Sequence, residues 1–156
     1  MSSYVIKQTV PFDHHLLSDI ALESKRHWGY PEEWIEGWED DLRITNEYIL
    51  ANNVYNLIDV KQDVVCGFCA LKLNQDEKEV EIDHLWLLPS YIGKKLGKFL
   101  LQSCLDKLSD HTIKRIKVTS DPNAIGFYKK LGFVEAGYTE STPVGRILPN
   151  LILELG

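Results

Sequence analysis

An α/β fold, with a mixed sheet covered by helices, is predicted by three features of this 156-residue chain. Several short runs alternate apolar and polar residues with the period of a strand. Others carry apolar residues at helical spacing. The two kinds of segment follow one another in the order strand, two helices, three strands, helix, strand, helix, two strands, which places helices on the faces of one sheet.

The first strand is read at residues 4–10. Asp13 is positioned to cap a helix bearing Leu16, Leu17, Ile20, Ala21 and Trp28, which Gly29 ends. Pro31 suits the first turn of a second helix, whose stripe is Trp34, Ile35, Trp38 and Leu42 and whose early Glu32 and Glu33 favour the helix dipole. Strands near 54–61 and 64–74, joined through Gln62-Asp63, read as a hairpin. Val80 to Leu88 is a strand stopped by Pro89. A helix over about 94–109 buries Leu96, Phe99, Leu100, Cys104, Leu105 and Leu108. Ile113 to Ser120 is a strand, and Asp121-Pro122 opens a short helix that runs to Gly132. Two last strands fall near 133–140 and 147–155.

The length fits a single domain over 1–156, and no repeat or linker interrupts it. A net charge of −6 argues against general nucleic-acid binding, which needs a basic face. No stretch is apolar enough to span a bilayer, and Met1 to Lys7 does not have the pattern of a secretion signal. With three cysteines, Cys66, Cys69 and Cys104, these features predict a cytoplasmic protein with free thiols. Cys66-Gly67-Phe68-Cys69 has CxxC spacing, but it lies inside an apolar strand and has no second cysteine pair to complete a zinc site. A redox role for Cys66 and Cys69 is the lesser alternative, and no metal is expected. His14 and His15, adjacent on a helix, are read as surface residues pointing different ways.

The most informative stretch is Leu85-Trp86-Leu87-Leu88-Pro89-Ser90-Tyr91-Ile92-Gly93-Lys94-Lys95-Leu96-Gly97-Lys98. A strand ends, a glycine-containing turn follows and an amphipathic helix begins. Unpaired N–H groups at a helix start, aided by the dipole, make an anion site. Lys94, Lys95 and Lys98 add positive charge in an acidic chain. Neither the P-loop nor the Rossmann fingerprint fits this spacing.

Three segments in order make the chain resemble the GNAT superfamily of N-acetyltransferases. They are this turn; Asn123-Ala124-Ile125-Gly126-Phe127-Tyr128-Lys129-Lys130-Leu131-Gly132-Phe133; and the leucine-rich final strand. The tail Gly145-Arg146-Ile147-Leu148-Pro149 resembles a signature of a poorly characterised subgroup. The resemblance implies a mostly antiparallel sheet of about six to seven strands flanked by about four helices. It also implies transfer of an acetyl group from acetyl-CoA to a primary amine of a small molecule or peptide, by direct attack in a ternary complex. The family turn usually reads Arg/Gln-x-x-Gly-x-Gly; here those positions hold Ile92, Lys95 and Gly97, so one expected pyrophosphate contact is lost.

By matching position, the CoA pyrophosphate lies on the backbone of Gly93, Lys94, Lys95, Leu96, Gly97 and Lys98. The pantetheine arm pairs with the backbone of Leu85 and Leu87, on either side of Trp86. Asn123, Phe127 and Tyr128 contribute to the CoA side. An attacking amine must first lose a proton, so a general base is useful. Glu81 aligns with the family's catalytic glutamate; Asp83 shares its face, and His84 is an alternative if a bulge turns it inward. Tyr128 is the candidate acid for the departing thiolate, because a phenol ordinarily titrates near ~10. A strand-end N–H near Leu87 is a candidate oxyanion donor. For the acceptor, Trp28, Tyr30 and Trp34 combine aromatics with neighbouring carboxylates that suit a cationic amine, and Arg146 is a candidate contact for an acceptor carboxylate. A plain core stripe with a solvated acidic face is the competing reading of that helix pair. The resemblance leaves a homodimer open. A domain that binds acyl-CoA and senses it without turnover is the alternative function.

Overall fold

A computed structural model of the chain describes residues 3–108 and 112–155. Its elements are β1 (Tyr4–Gln8), α1 (His14–Arg26), α2 (Glu32–Leu42), α3 (Asn46–Ala51), β2 (Asn53–Asp59), β3 (Val64–Asn74), β4 (Glu79–Leu87), α4 (Leu96–Asp106), β5 (Arg115–Thr119), α5 (Ile125–Lys130), β6 (Val134–Glu140) and β7 (Ile147–Glu154). Short 3-10 turns at Pro11–Asp13, Pro89–Tyr91 and Pro122–Ala124 lead into α1, the β4–α4 turn and α5. The sheet order is β1-β2-β3-β4-β5-β7-β6. β4 and β5 run parallel, while β1–β2, β2–β3, β5–β7 and β6–β7 are antiparallel. The predicted α/β class and mostly antiparallel sheet are therefore observed. No helix among the described residues is long and apolar enough to cross a membrane.

The chain clusters into two compact units. One holds the segments up to Leu71 and from His84 through α4; the other holds Lys72–Asp83 and the chain from β5 onward. In the first, β2 and β3 carry helices on both faces. Val54, Phe68 and Ala70 join Leu17, Ile20, Ala21, Ile35, Trp38, Leu42, Ile44 and Ile49 in one buried cluster under α1, α2 and α3. Tyr55 and Cys69, paired across the strands and pointing the other way, meet α4: the Lys107 ammonium stands 5.6 Å from the Tyr55 ring centre. Each fully buried Leu, Ile or Phe contributes about 1.5–3 kcal/mol of transfer free energy. In the second unit, the buried residues include Val80, Ile82, Ile116, Val118, Tyr128, Phe133 and Leu151.

Several boundaries differ from those predicted, each for a local reason. α3 was not anticipated; Thr45 caps it, its hydroxyl accepting the Tyr48 N–H at 3.1 Å. Among the described residues, five α-helices therefore stand where about four were expected. Pro31 is the N-cap of α2 rather than its first residue, because its ψ of 139° is extended. Asp13 occupies the N-cap of α1 without capping it; its carboxylate instead accepts the Asn56 amide at 3.2 Å. α4 begins at Leu96 rather than 94 because Lys95 is left-handed; its predicted end at 109 lies outside the described residues. The rings of His14 and His15 lie 4.0 Å apart, so they do not diverge as expected.

Candidate active site

The end of β4 is fixed from β3. Gly67 is the reason it can come so close: a Cβ there would stand 2.6 Å from the Trp86 carbonyl oxygen and 2.8 Å from Leu87 Cδ2. The β2–β3 register shifts at this point, with Leu57 opposite Gly67 and Ile58 opposite Val65, so Cys66 is the extra residue of a bulge. The Leu88 N–H donates to the Cys66 carbonyl at 2.8 Å. Trp86 and Leu88 thus turn their backbone groups toward β3, and strand alternation turns those of Leu85 and Leu87 to the opposite edge. Among the described residues, the β4–β5 register ends at Ile82 opposite Val118, while β4 continues to Leu87. The Leu87 carbonyl accepts the buried Ser24 hydroxyl at 2.5 Å, which ties α1 to this strand end; the same hydroxyl lies 2.7 Å from the Ile20 carbonyl.

Beyond Leu88, the 3-10 turn Pro89–Tyr91 leads to Gly93 at φ +86° and Lys95 at φ +63°. Lys95 is the N-cap of α4 and makes no side-chain capping bond. The first-turn N–H groups of α4 therefore have no capping side chain, and the helix dipole adds to their positive potential. Lys94 lies over the Tyr91 ring, its Nζ 5.4 Å from the centre. The Tyr91 hydroxyl donates to Asp59 Oδ2 at 2.7 Å.

The polar residues of β4 occupy distinct settings. Glu81 lies between buried Val80 and Ile82, in register with Lys117 of β5. The Lys117 ammonium is raised above its ordinary range, chiefly by its hydrogen bond to Glu79 and further by Glu81. Asp83 pairs with Lys72 at 3.8 Å. His84 lies beside Tyr48 and Phe68, with ring centres 5.8 and 5.9 Å away. The Trp86 indole N–H donates to His84 Nδ1 at 3.0 Å. That bond leaves the proton of a neutral imidazole on Nε2, so this tautomer donates at Nε2 rather than accepting a proton there. The arrangement disfavours His84 as the base.

Tyr128 is 5 % exposed, with its ring edge-on to Phe127 at 5.0 Å and to Phe133 at 5.4 Å. Asn123 follows the capping Asp121, whose Oδ1 accepts both the Asn123 N–H at 2.8 Å and its side-chain amide at 3.0 Å. Arg146 is engaged with the same aspartate, 3.6 Å from Asp121 Oδ2, and also donates to the Ser141 hydroxyl at 3.1 Å. Its charge thus holds the loop before β7, which weakens the case for an acceptor contact.

Of the two readings of the aromatic helix pair, a pocket for a cationic amine and a core stripe, the packing is nearer the core stripe. Lys25, itself buried, places its ammonium 4.7 Å from the Trp38 ring centre, 5.1 Å from Tyr30 and 5.9 Å from Trp86. Tyr30 stacks on Trp34 at 6.1 Å, and Trp28 is half-exposed beside His27 at 4.9 Å. Glu32 pairs with Arg26 at 3.0 Å and Asp40 with Arg43 at 2.8 Å. The packing matches the core-stripe reading of α2, with a cation of the chain's own on its aromatics. Cys66, Cys69 and Cys104 are free and buried. Burial pushes the Cys66 thiol up to about 11, and Cys69 is raised by its hydrogen bond with Cys104 and by burial. Thiols so held are poor nucleophiles, which argues against redox work. Among the described residues, no group of three or more His, Cys, Asp or Glu is arranged to hold a metal ion.

The acetyltransferase (GNAT) family model matches residues 18–133, most of the chain. The chain belongs to the GNAT family. It is similar to an uncharacterised N-acetyltransferase, ycf52, of Gracilaria tenuistipitata var. liui, 28% identical over 93 residues, or 60% of this chain. The chain's match spans about half the length of that relative. Among solved structures, it resembles the PaiA N-acetyltransferase of Thermoplasma acidophilum, in complex with coenzyme A: TM-score 0.77, 22% identity, over 98% of this chain and 99% of that one. It also resembles the dodecameric spermidine N-acetyltransferase of Vibrio cholerae: TM-score 0.69, 20% identity, over 99% and 95% of the two chains. These structural likenesses establish the shared fold.

As a GNAT member, the chain departs from the family turn in an informative way. The position that the family usually gives to glycine is Lys95, which nevertheless keeps the left-handed backbone at φ +63°. A left-handed backbone costs some strain in a non-glycine residue. Ser24, Lys25, Asp59, Gly67 and Tyr91 were not singled out from sequence. Ser24 and Lys25 extend the spacing of Leu17, Ile20 and Ala21, so polar residues on an apolar stripe were the legible signal. The Tyr91–Asp59 bond spans 32 positions and left no local trace.

Proposed function

We propose that this GNAT protein transfers an acetyl group from acetyl-CoA to a primary amine of a small molecule or peptide, by direct attack in a ternary complex. The observation that carries the reading is the turn between β4 and α4. Gly93, a left-handed Lys95, the uncapped start of an 11-residue helix and three nearby lysines suit a diphosphate. Leu85 and Leu87, beyond Ile82 where the β4–β5 register ends among the described residues, suit an extended pantetheine arm.

In this reading, the thioester is aimed along the end of β4, where the Leu87 N–H faces the developing oxyanion. Glu81, or Asp83 through water, removes the amine proton. By family position, Asn123, Phe127 and Tyr128 serve the CoA side, with the Tyr128 phenol protonating the departing thiolate. His84 is the alternative base, which the hydrogen bond it accepts from Trp86 disfavours. Trp28, Tyr30 and Trp34 border the acceptor. With the Lys25 ammonium already on Tyr30 and Trp38, further cation–π capture there is limited.

The test is thiol release from acetyl-CoA over a panel of amines, with wild type compared with Tyr128→Phe and His84→Gln. Amine-dependent release is expected. Tyr128→Phe should lose about 100-fold or more in kcat, in the range of general acid catalysis, with little change in CoA affinity. His84→Gln should keep the acidic limb of the kcat/KM pH profile. CoA binding without turnover on any amine would favour the sensing domain. Loss of the acidic limb in His84→Gln would make His84 the base.

A further inference from the structure

We propose that Asp59 and Tyr91 are positioning residues for the diphosphate turn: by holding the Tyr91 hydroxyl, the Asp59 carboxylate keeps Lys94 and the start of α4 available to an acyl-CoA diphosphate. This rests on the reading of that turn as the CoA site.

Asp59 ends β2 and is buried. One carboxylate oxygen, Oδ1, accepts the N–H groups of Lys61 at 3.1 Å and Gln62 at 3.2 Å, which shapes the turn into β3. The other, Oδ2, accepts the Tyr91 hydroxyl at 2.7 Å. Tyr91 closes the 3-10 turn that precedes Gly93, and its ring meets Tyr4 edge-on at 6.3 Å. The bond thus ties the approach to the diphosphate turn to the sheet from outside its own strand. The tie has an electrostatic side as well. Lys94 stands on the Tyr91 ring, and Asp59 is held below its ordinary range first by the Tyr91 hydroxyl, then by the Gln62 and Lys61 N–H groups, with Lys94 adding last. The phenol hydrogen occupies Oδ2, so the carboxylate is engaged by a neutral donor, and the Lys94 ammonium stays on the ring face. Without that hydrogen, Oδ2 becomes a competing anion close to the lysine that the diphosphate needs. A carboxylate stripped of its hydrogen-bond donor attracts a nearby ammonium, and a lysine side chain is flexible enough to follow.

The experiment compares wild type, Tyr91→Phe, Asp59→Asn and the double variant. The readouts are the Kd for CoA and the KM for S-acetylpantetheine, which has the same arm and no diphosphate. Tyr91→Phe keeps the ring and loses only the hydroxyl. It should weaken CoA about 10-fold and leave the S-acetylpantetheine KM within about twofold. Adding Asp59→Asn removes the competing charge and should recover CoA affinity to within about threefold of wild type. In Asp59→Asn the one remaining oxygen keeps the Lys61 and Gln62 N–H groups and the side-chain NH2 donates to the Tyr91 oxygen, so the tie persists and CoA affinity should stay within the same range. CoA affinity unchanged in Tyr91→Phe, an equal loss for both ligands, or no recovery in the double variant would each overturn the proposal. Absence of CoA binding by wild type would instead overturn the reading of the site.

Discussion

At the scale of single residues, the Asp59–Tyr91 pair is a proton arrangement with a measurable signature. The Tyr91 phenol is pushed up to about 12, first by its bond to the carboxylate, and Asp59 is held below its ordinary range, first by the same bond. A raised phenol stabilises the fold fully below its unfolded value, near ~10, and loses that contribution as pH rises through about 12. A lowered carboxylate contributes above its unfolded value, near ~4, and loses its share as pH falls through the depressed one. The gap in urea midpoint between wild type and Tyr91→Phe should therefore be flat at neutral pH, and narrow above about pH 10 and below about pH 4. A gap constant across that whole range would mean that the bond does not hold in solution. Other residues were legible from spacing alone. Asp121 caps the turn into α5 as read, its carboxylate accepting the Asn123 N–H. Arg146 was not legible in the same way, because its partner Asp121 lies 25 positions away and only the folded chain brings them within 3.6 Å.

Among the elements, β4 is the strand proposed to carry the chemistry, and the close approach of β3 at Gly67 fixes its end. Gly67 sits at the bulge of β3, with no room for a methyl group before the Trp86 carbonyl. Gly67→Ala must push on main-chain atoms, so it should destabilise by about 1–3 kcal/mol. It should also weaken CoA, because the residues displaced are those flanking the Leu85 and Leu87 amides. Urea unfolding with parallel CoA titration checks both; unchanged stability and affinity would contradict the close approach. Apolar periodicity made β4 and α4 readable, since each buries one regular face: Val80 and Ile82 in one, Leu96, Leu100 and Cys104 in the other. The short α3 was harder because six residues make less than two full turns of pattern, and its cap, Thr45, was the only strong signal. The start of α4 was displaced by two residues because a left-handed lysine breaks the rule that such positions belong to glycine.

For the whole molecule, an acidic chain of net charge −6 concentrates three lysines at the start of its central helix, a local reversal that suits an anionic cosubstrate. The order of elements, the family turn and the Asn123–Phe133 segment were enough to read the GNAT fold, because each rests on local patterns. The helix pair proposed to border the acceptor was less readable. Its aromatics serve the core and Lys25 at once, and the sequence does not mark which face of a ring is already occupied. The central claim is that main-chain amides at the start of α4 hold the CoA diphosphate and that β4 holds its arm. The most direct measurement is an amide-resolved NMR titration of the full chain with acetyl-CoA. Saturable shifts should be largest at Gly93–Lys98, with a second set at Leu85 and Leu87. Shifts centred elsewhere, or none at millimolar acetyl-CoA, would contradict the account.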